Sequence, residues 1–200
     1  MSLKTRVKVS SVTNLSDARY CAGMGVDLIG FNVDPEHPDY VDPIKFSEIT
    51  SWLSGVDFAI EYFGKDWSLL EDIAVEYETN IIEIKEPDLL KHPIDEIKYI
   101  LNFDNNSLNG YSLEGYLEKY KSNYYLYSEE EDLSHFNQVL QLSDRHKIIV
   151  GSGINVDNLD DVLENQKVFA IGLKGEEEEE PGFKDYDELA DMLEKLEVEV

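Results

Sequence analysis

A chain of 200 residues suits one domain with a full hydrophobic core, and its 42% hydrophobic and 30% charged residues are those of a soluble globular protein. The 17 Lys and Arg face 43 Asp and Glu, a formal net charge of -26 that repels phosphate backbones and anionic lipid headgroups, so neither nucleic acid nor a membrane is an expected partner. No apolar run approaches the roughly 18 residues of a membrane span, and Met1 to Lys8 carries no signal-peptide pattern.

Short β-rich runs alternate with helical patterns, the rhythm of parallel βα units. Residues 6–12 form the first expected strand. Asn14, with Asp17 three residues on, has the spacing of a capping box for the helix that follows. That helix carries Cys21, the only cysteine, so no internal disulfide is possible. This fits a reducing cytosol, and the position suggests packing against the sheet. A second strand over 26–32 leads to Asp42-Pro43, a capping side chain followed by proline at the first turn of a helix. Phe46, Ile49, Trp52 and Leu53 mark its apolar face at helical spacing.

A third strand is expected over 56–63. Asp66 caps the next helix, whose buried face is read as Leu69, Leu70, Ile73 and Tyr77. A fourth strand covers 80–85, and Pro93 limits any helix after it. A fifth strand over 96–102, a helix near 112–120 and a sixth strand over 123–127 follow. Leu133, Phe136, Val139 and Leu140 mark the sixth helix. A seventh strand over 147–151 precedes a helix with Val156, Leu159, Val162 and Leu163 on one face. The eighth strand covers 167–172. Asp185 and Glu188 open a last helix that buries Tyr186, Leu189, Leu193 and Leu196. Eight strands and up to eight helices imply one α/β domain over 1–200, a (β/α)8 TIM barrel near the lower size limit of that fold. Periodicity does not detect closure, so an open doubly wound sheet fits the same pattern.

In such a barrel the chemistry sits at the C-terminal ends of the strands. At two of these places motifs stand out. The first is Lys8-Val9-Ser10-Ser11-Val12-Thr13-Asn14, then Asp17-Ala18, Gly25, Asp27, Gly30-Phe31, Pro35, Pro38 and Tyr40-Val41. The second is Gly153-Ile154-Asn155 with Asn158, then Gly175, and Pro181-Gly182-Phe183-Lys184-Asp185. Together they resemble the phosphoribosylanthranilate isomerase family, which reads K-I-C-G-I-T-N, D-A, G-x-D, G-F and P-x-S-P-R-Y-V in the first block. In the second it reads G-G-L-N-P-x-N, S-S-G and P-G-x-K-D. Residues 63–147 match only in strand rhythm. The resemblance implies a monomeric or dimeric barrel that works without a cofactor. It would convert N-(5′-phosphoribosyl)anthranilate to its ribulose isomer in tryptophan synthesis.

That reaction, an Amadori rearrangement, needs an acid for the ring oxygen and a base for the C2′ proton. The family base is the Cys of K-I-C-G, and Ser10 stands there. A thiol titrates at about 8.5 and ionises usefully near neutrality, whereas a serine hydroxyl needs a second base. The family acid is an Asp at the end of the sixth strand. Tyr127 falls in its place, with Glu129 two residues on as a substitute. The Arg that holds the anthranilate carboxylate corresponds to Asp39, a reversal of charge that disfavours the family substrate. His37 replaces a Ser, Glu83-Ile84-Lys85-Glu86 stands where the family has Q-L-H-G, with Lys85 either facing the mouth or paired with Glu86 at the surface, and the family's glycine-rich loop after the sixth strand is missing.

The phosphate-binding elements are better kept. Ser152 and Gly153 supply the loop after the seventh strand, Lys174 and Gly175 the loop after the eighth, and such loops bind phosphate in many barrels. The run Glu176 to Glu180 opposes an anion if it faces the mouth and is tolerable if it faces solvent. His37, His92, His135 and His146 show no metal-ligand spacing. Three readings follow: a family relative that has lost the isomerase activity and keeps a site for a small phosphorylated ligand; an isomerase working with substituted groups; and an interaction protein whose acidic surface recruits a basic partner.

Overall fold

The computed structural model describes residues 2–129, 133–165, 167–174, 178–180, 183–184 and 187–198. Eight parallel strands close into a barrel in sequence order. They are β1 (Arg6–Ser10), β2 (Leu28–Asn32), β3 (Asp57–Tyr62), β4 (Ile81–Ile84), β5 (Lys98–Phe103), β6 (Tyr124–Tyr127), β7 (Ile148–Val150) and β8 (Ala170–Lys174). Closure rests on the pairing of β1 with β8, in register from Arg6 opposite Ala170 to Ser10 opposite Lys174. The open-sheet alternative is thereby excluded. A small antiparallel hairpin, β9 (Glu178–Glu180) with β10 (Phe183–Lys184), follows the barrel.

Among the described residues seven α-helices wrap it: α1 (Leu15–Met24), α2 (Pro43–Thr50), α3 (Trp67–Glu76), α4 (Leu113–Lys119), α5 (Phe136–His146), α6 (Leu159–Asn165) and α7 (Asp187–Leu196). Their starts follow the capping chemistry in the sequence. Asn14 accepts from the backbone of Asp17 and donates back to its carboxylate, Asp42 accepts from Lys45 with Pro43 in the first turn, and Asp66 accepts from Ser68 and Leu69. Between β4 and β5 only a 3-10 turn forms, Pro87–Lys91.

Three apolar residues assigned to buried faces lie exposed. Trp52 (75% exposed) falls beyond the end of α2, where helical spacing no longer applies. Leu69 (50%) sits one position, about 100°, off the buried stripe of Leu70, Ile73, Ala74 and Tyr77. Leu133 (43%) precedes α5, in a 3-10 turn. Asp185 and Tyr186, assigned to the start of the last helix, lie outside the described residues, while Leu189, Met192, Leu193 and Leu196 are buried.

The core has two layers. The larger lies between strands and helices. The smaller fills the barrel with Ala59, Ile81, Ile100, Leu126, Ile149 and Ala170. At the N-terminal end of the barrel the Arg6 guanidinium sits 5.0 Å from the Phe169 ring centre, and Phe169 stacks on Tyr124 at 5.8 Å. Among the described residues no helix is long and apolar enough to cross a membrane.

Candidate functional site

Above the apolar plug, toward the C-terminal ends of the strands, the barrel interior turns polar. Side chains alternate across a strand, so the partners of the inward-facing Ala59 fix which neighbours also face in. Gly30 pairs with Ala59, and two residues on, Asn32 pairs with Glu61, which pairs in turn with Glu83. Asn32, Glu61 and Glu83 therefore form one row across β2, β3 and β4. Lys8 and Ser10 face it from β1, Asn102 from β5.

Lys8 is the centre of this layer. Its Nζ lies 2.8 Å from Glu61 Oε1 and 2.7 Å from Glu83 Oε2, and all three side chains are 1% exposed. The ammonium also donates to Ser10 Oγ at 2.5 Å and to Glu61 Oε1, while its contact with Glu83 Oε2 is an ion pair without hydrogen-bond geometry. Burial alone pulls the lysine down, but the charges of Glu61 and Glu83 outweigh it and hold the ammonium above the ordinary lysine value. Two carboxylates facing one ammonium in a dry interior leave one negative charge uncompensated. Burial, and then the Glu61 charge, raise the Glu83 carboxyl, against the pull of Lys8. Asn102 Nδ2 donates to Glu83 Oε1 at 2.7 Å, and Ser128 Oγ donates to Asn102 Oδ1.

Glu61 has a second task. The backbone N–H of Ser11 donates to both of its oxygens, and Ser11 Oγ donates to Oε2 at 3.1 Å. Ser11 takes φ 55, the left-handed region that costs a serine roughly 1–2 kcal/mol. Its bonds to Glu61 offset that cost. Gly30 is required here by close approach: a Cβ would stand 2.0 Å from Glu61 Oε1 and 3.1 Å from Lys8 Nζ.

Ser10 is thus joined to a cation. Tyr127 is 1% exposed and points away from the mouth, into the layer between sheet and helices. There it packs 5.5 Å from Phe103, and its hydroxyl donates to Asn105 Oδ1 at 3.4 Å. Glu129 accepts from the Asn105 backbone at 2.8 Å. Asp39 lies in the loop that folds back along β2. Its side chain is 14% exposed, and its carboxylate is 4.0 Å from His37 Nδ1, which also accepts from the Asp39 backbone. Lys85 is exposed, its ammonium 4.7 Å from the Phe63 ring centre.

On the other side of the barrel Lys174 stands in register beside Ser10, exposed to solvent. Ser152 is half-buried after β7. Gly153 has φ 80, and a Cβ there would meet the Phe136 ring at 2.7 Å. Its carbonyl accepts from Asn158 Nδ2 at 2.8 Å, which fixes the loop. Gly175, Glu176 and Glu177 lie outside the described residues, and of Glu178 to Glu180 only the strand is described. Among the described residues no three His, Cys, Asp or Glu side chains group as metal ligands.

Lys8, Glu61, Glu83, Asn102 and Ser128 were not singled out as site residues from the sequence. A signal was present: a lone Glu inside the apolar runs Asp57–Tyr62 and Ile81–Ile84, and a lone Lys inside Arg6–Ser10. Barrel strands are buried on both faces, and a charge there needs a partner of opposite sign.

No family model matches the chain. Curated relatives do. The N-(5′-phosphoribosyl)anthranilate isomerase of Aquifex aeolicus is 23% identical over 97% of this chain and 99% of its own. That of Syntrophus aciditrophicus is 25% identical over 94% and 86%. Among solved structures, the Thermus thermophilus phosphoribosyl anthranilate isomerase superposes with a TM-score of 0.77 at 20% identity, covering 96% of this chain and 98% of that one. Another of that name, in complex with reduced 1-(o-carboxyphenylamino)-1-deoxyribulose 5-phosphate, gives 0.74 at 22% identity over the same shares. In its barrel, in its two motif blocks and along nearly its whole length, the chain is similar to the phosphoribosylanthranilate isomerases.

Proposed function

We propose that this chain is a phosphoribosylanthranilate isomerase-like barrel that has lost the native isomerase activity and keeps a mouth for a small phosphorylated ligand, a phosphosugar in particular. The observation that carries the first half is the bond from the Lys8 ammonium to Ser10 Oγ. A base for the C2′ proton must accept a proton. Ser10 instead receives a hydrogen bond from a cation, and that cation is held protonated by two carboxylates. Glu61 is the nearest substitute base, but Lys8 and Ser11 already occupy both its oxygens. Tyr127, at the place of the acid, faces the helices, and Asp39 brings negative charge where an anthranilate carboxylate would bind.

The second half rests on the loops after β7 and β8. Gly153 keeps a left-handed backbone turn, and Ser152 and Lys174 offer a hydroxyl and an ammonium at the same end of the barrel. Gly175 completes this set by sequence. No metal or cofactor enters the proposal. Expression in a tryptophan auxotroph that lacks the isomerase tests the first half. The strain stays auxotrophic if the activity is lost, and growth at ordinary expression refutes the proposal. A thermal-shift titration with inorganic phosphate and ribose 5-phosphate tests the second. A rise in melting temperature that Lys174→Glu abolishes supports it. No rise at millimolar ligand removes it and leaves an interaction protein with an acidic surface as the better reading.

A further inference from the structure

At the N-terminal end of the barrel, opposite the mouth, a groove of about 760 Å³ runs between the C-terminal ends of α2 and α3 and the segments that lead into β3, β4 and β5. Its floor is apolar: Phe46 packs against Phe58 and Tyr77, with ring centres 6.4 and 5.3 Å apart. Its rim is acidic. Asp57, Glu76, Glu78, Asp95 and Glu96 line it, all exposed, and no Lys, Arg or His does. Among the described residues none of these carboxylates forms an ion pair, whereas Asp88 pairs with Lys91 and Glu114 with Arg145 elsewhere on the surface.

Helix electrostatics sharpen the imbalance. A helix C-terminus carries partial negative charge from its unpaired carbonyls and favours Lys or Arg in its last turn. Neither α2 nor α3 has a basic residue there, and α3 ends on Glu76. Two negative helix ends and a row of carboxylates therefore share one groove, with no positive charge in its lining. The repulsion is relieved by a cation from outside. Among the described residues no three acidic side chains group as metal ligands, so the charge is spread along the groove and does not converge on a point. A series of ammonium or guanidinium groups fits it better than one metal ion.

Apolar side chains flank the same groove. Trp52, Ile44 and Val75 are 75, 74 and 75% exposed, and each adjoins a lining residue in sequence, Ser51, Pro43 and Glu76 in turn. An exposed tryptophan with aliphatic neighbours, rimmed by charge, has the composition of a protein-binding surface.

We infer that the α2–α3 groove docks a basic amphipathic segment of a partner protein. Lys or Arg side chains of the segment meet the carboxylates and the two helix ends, and an apolar side chain covers Trp52. Nucleic acid and anionic lipid carry the wrong sign. A second copy of a chain with a net charge of -26 brings mostly like charge. The groove lies at the opposite end of the barrel from Ser10, Ser152 and Lys174, so docking there leaves the mouth open, and the inference stands whatever the mouth binds.

Fluorescence anisotropy on the full chain at physiological ionic strength tests it with a labelled peptide of Lys and Leu at helical spacing, against a Lys and Ser peptide of the same charge. The Lys–Leu peptide should bind more tightly. Glu76→Lys with Glu78→Lys, and separately Trp52→Ser, should each weaken it about tenfold. Asp191→Lys with Glu194→Lys makes the same change of net charge at exposed positions of α7 and should cost less than about twofold, because screening confines such charges to about 8 Å. All the substituted positions are exposed, so none of the variants should unfold the chain. Equal losses in the two charge-reversed pairs reduce the binding to bulk attraction and overturn the inference, as does an absence of binding at roughly 100 μM peptide. Equal affinity for the two peptides removes the apolar contact and overturns it as well. Light scattering gives the remaining check: a dimer that Trp52→Ser dissociates makes a second copy the occupant and overturns the partner segment.

Discussion

Replacing Lys8 by Met tests the ion cluster at its centre. The two glutamates it serves are 1% exposed and touch its Nζ at 2.7 and 2.8 Å. Removing the ammonium leaves them facing one another without a counter-charge, and breaking a buried pair in this way costs about 3–5 kcal/mol. That is a large part of a typical total stability of about 5–15 kcal/mol. With a urea slope of about 2.5 kcal/mol per molar for a chain of this size, the midpoint should fall by roughly 1–2 M. Adding Glu61→Gln and Glu83→Gln removes the stranded charges, while the amide oxygen that Glu61→Gln leaves in place still accepts from the Ser11 backbone. The triple variant should therefore regain part of the loss. Equilibrium urea unfolding at pH 7 decides the matter. A Lys8→Met midpoint unchanged from the parent, or a triple variant weaker than the single one, refutes the coupling.

The pH dependence of Glu83 has a definite sign. Its folded pKa lies above its unfolded value of about 4.3, so the native state binds the extra proton and is favoured at low pH. That stability is fully present below the unfolded value and drains away as the pH rises through the folded one. Glu83→Gln, which mimics the neutral acid, should therefore gain on the parent as pH rises from about 4.3 upward. Parallel stability curves for the two proteins contradict this. Ser11→Ala keeps the left-handed backbone and loses the bond to Glu61, and should cost about 1 kcal/mol, while Ser11→Gly should stay near the parent because strain and bond vanish together. Thermal melts of the pair check it, and an equal loss in both removes strain from the explanation. Burial, and then Asp17, push the Cys21 thiol up to about 12, so it should stay silent to a thiol reagent at pH 8 until the protein unfolds. A cysteine placed by Ser10→Cys, beside the Lys8 ammonium, should titrate below the free value of about 8.5 and react in the native state; reactivity no greater than that of Cys21 counts against the contact.

The strand rhythm and the caps at Asn14, Asp42 and Asp66 made the barrel legible, because each is a local signal written over a few residues. Closure was not local: it depends on Arg6 meeting Ala170 across the whole chain. The same gap hid the ion cluster, since Lys8, Glu61 and Glu83 are far apart in sequence and become neighbours only when β1, β3 and β4 enclose one space. Helical spacing misplaced Trp52 because α2 stops at Thr50, a boundary no apolar pattern marks. Tyr127 shows the limit of motif position. It stands where the family acid would stand by sequence, yet its ring belongs to the layer outside the strands, and Ser128 is the residue there whose side chain reaches the cluster through Asn102.

The most direct test is turnover of N-(5′-phosphoribosyl)anthranilate itself by the purified chain, followed by chromatography of the ribulose isomer. With Ser10 bonded to an ammonium and both oxygens of Glu61 engaged, product should form no faster than in enzyme-free buffer. Formation above that rate, abolished by Ser10→Ala or Glu61→Gln, would contradict the loss of the isomerase activity.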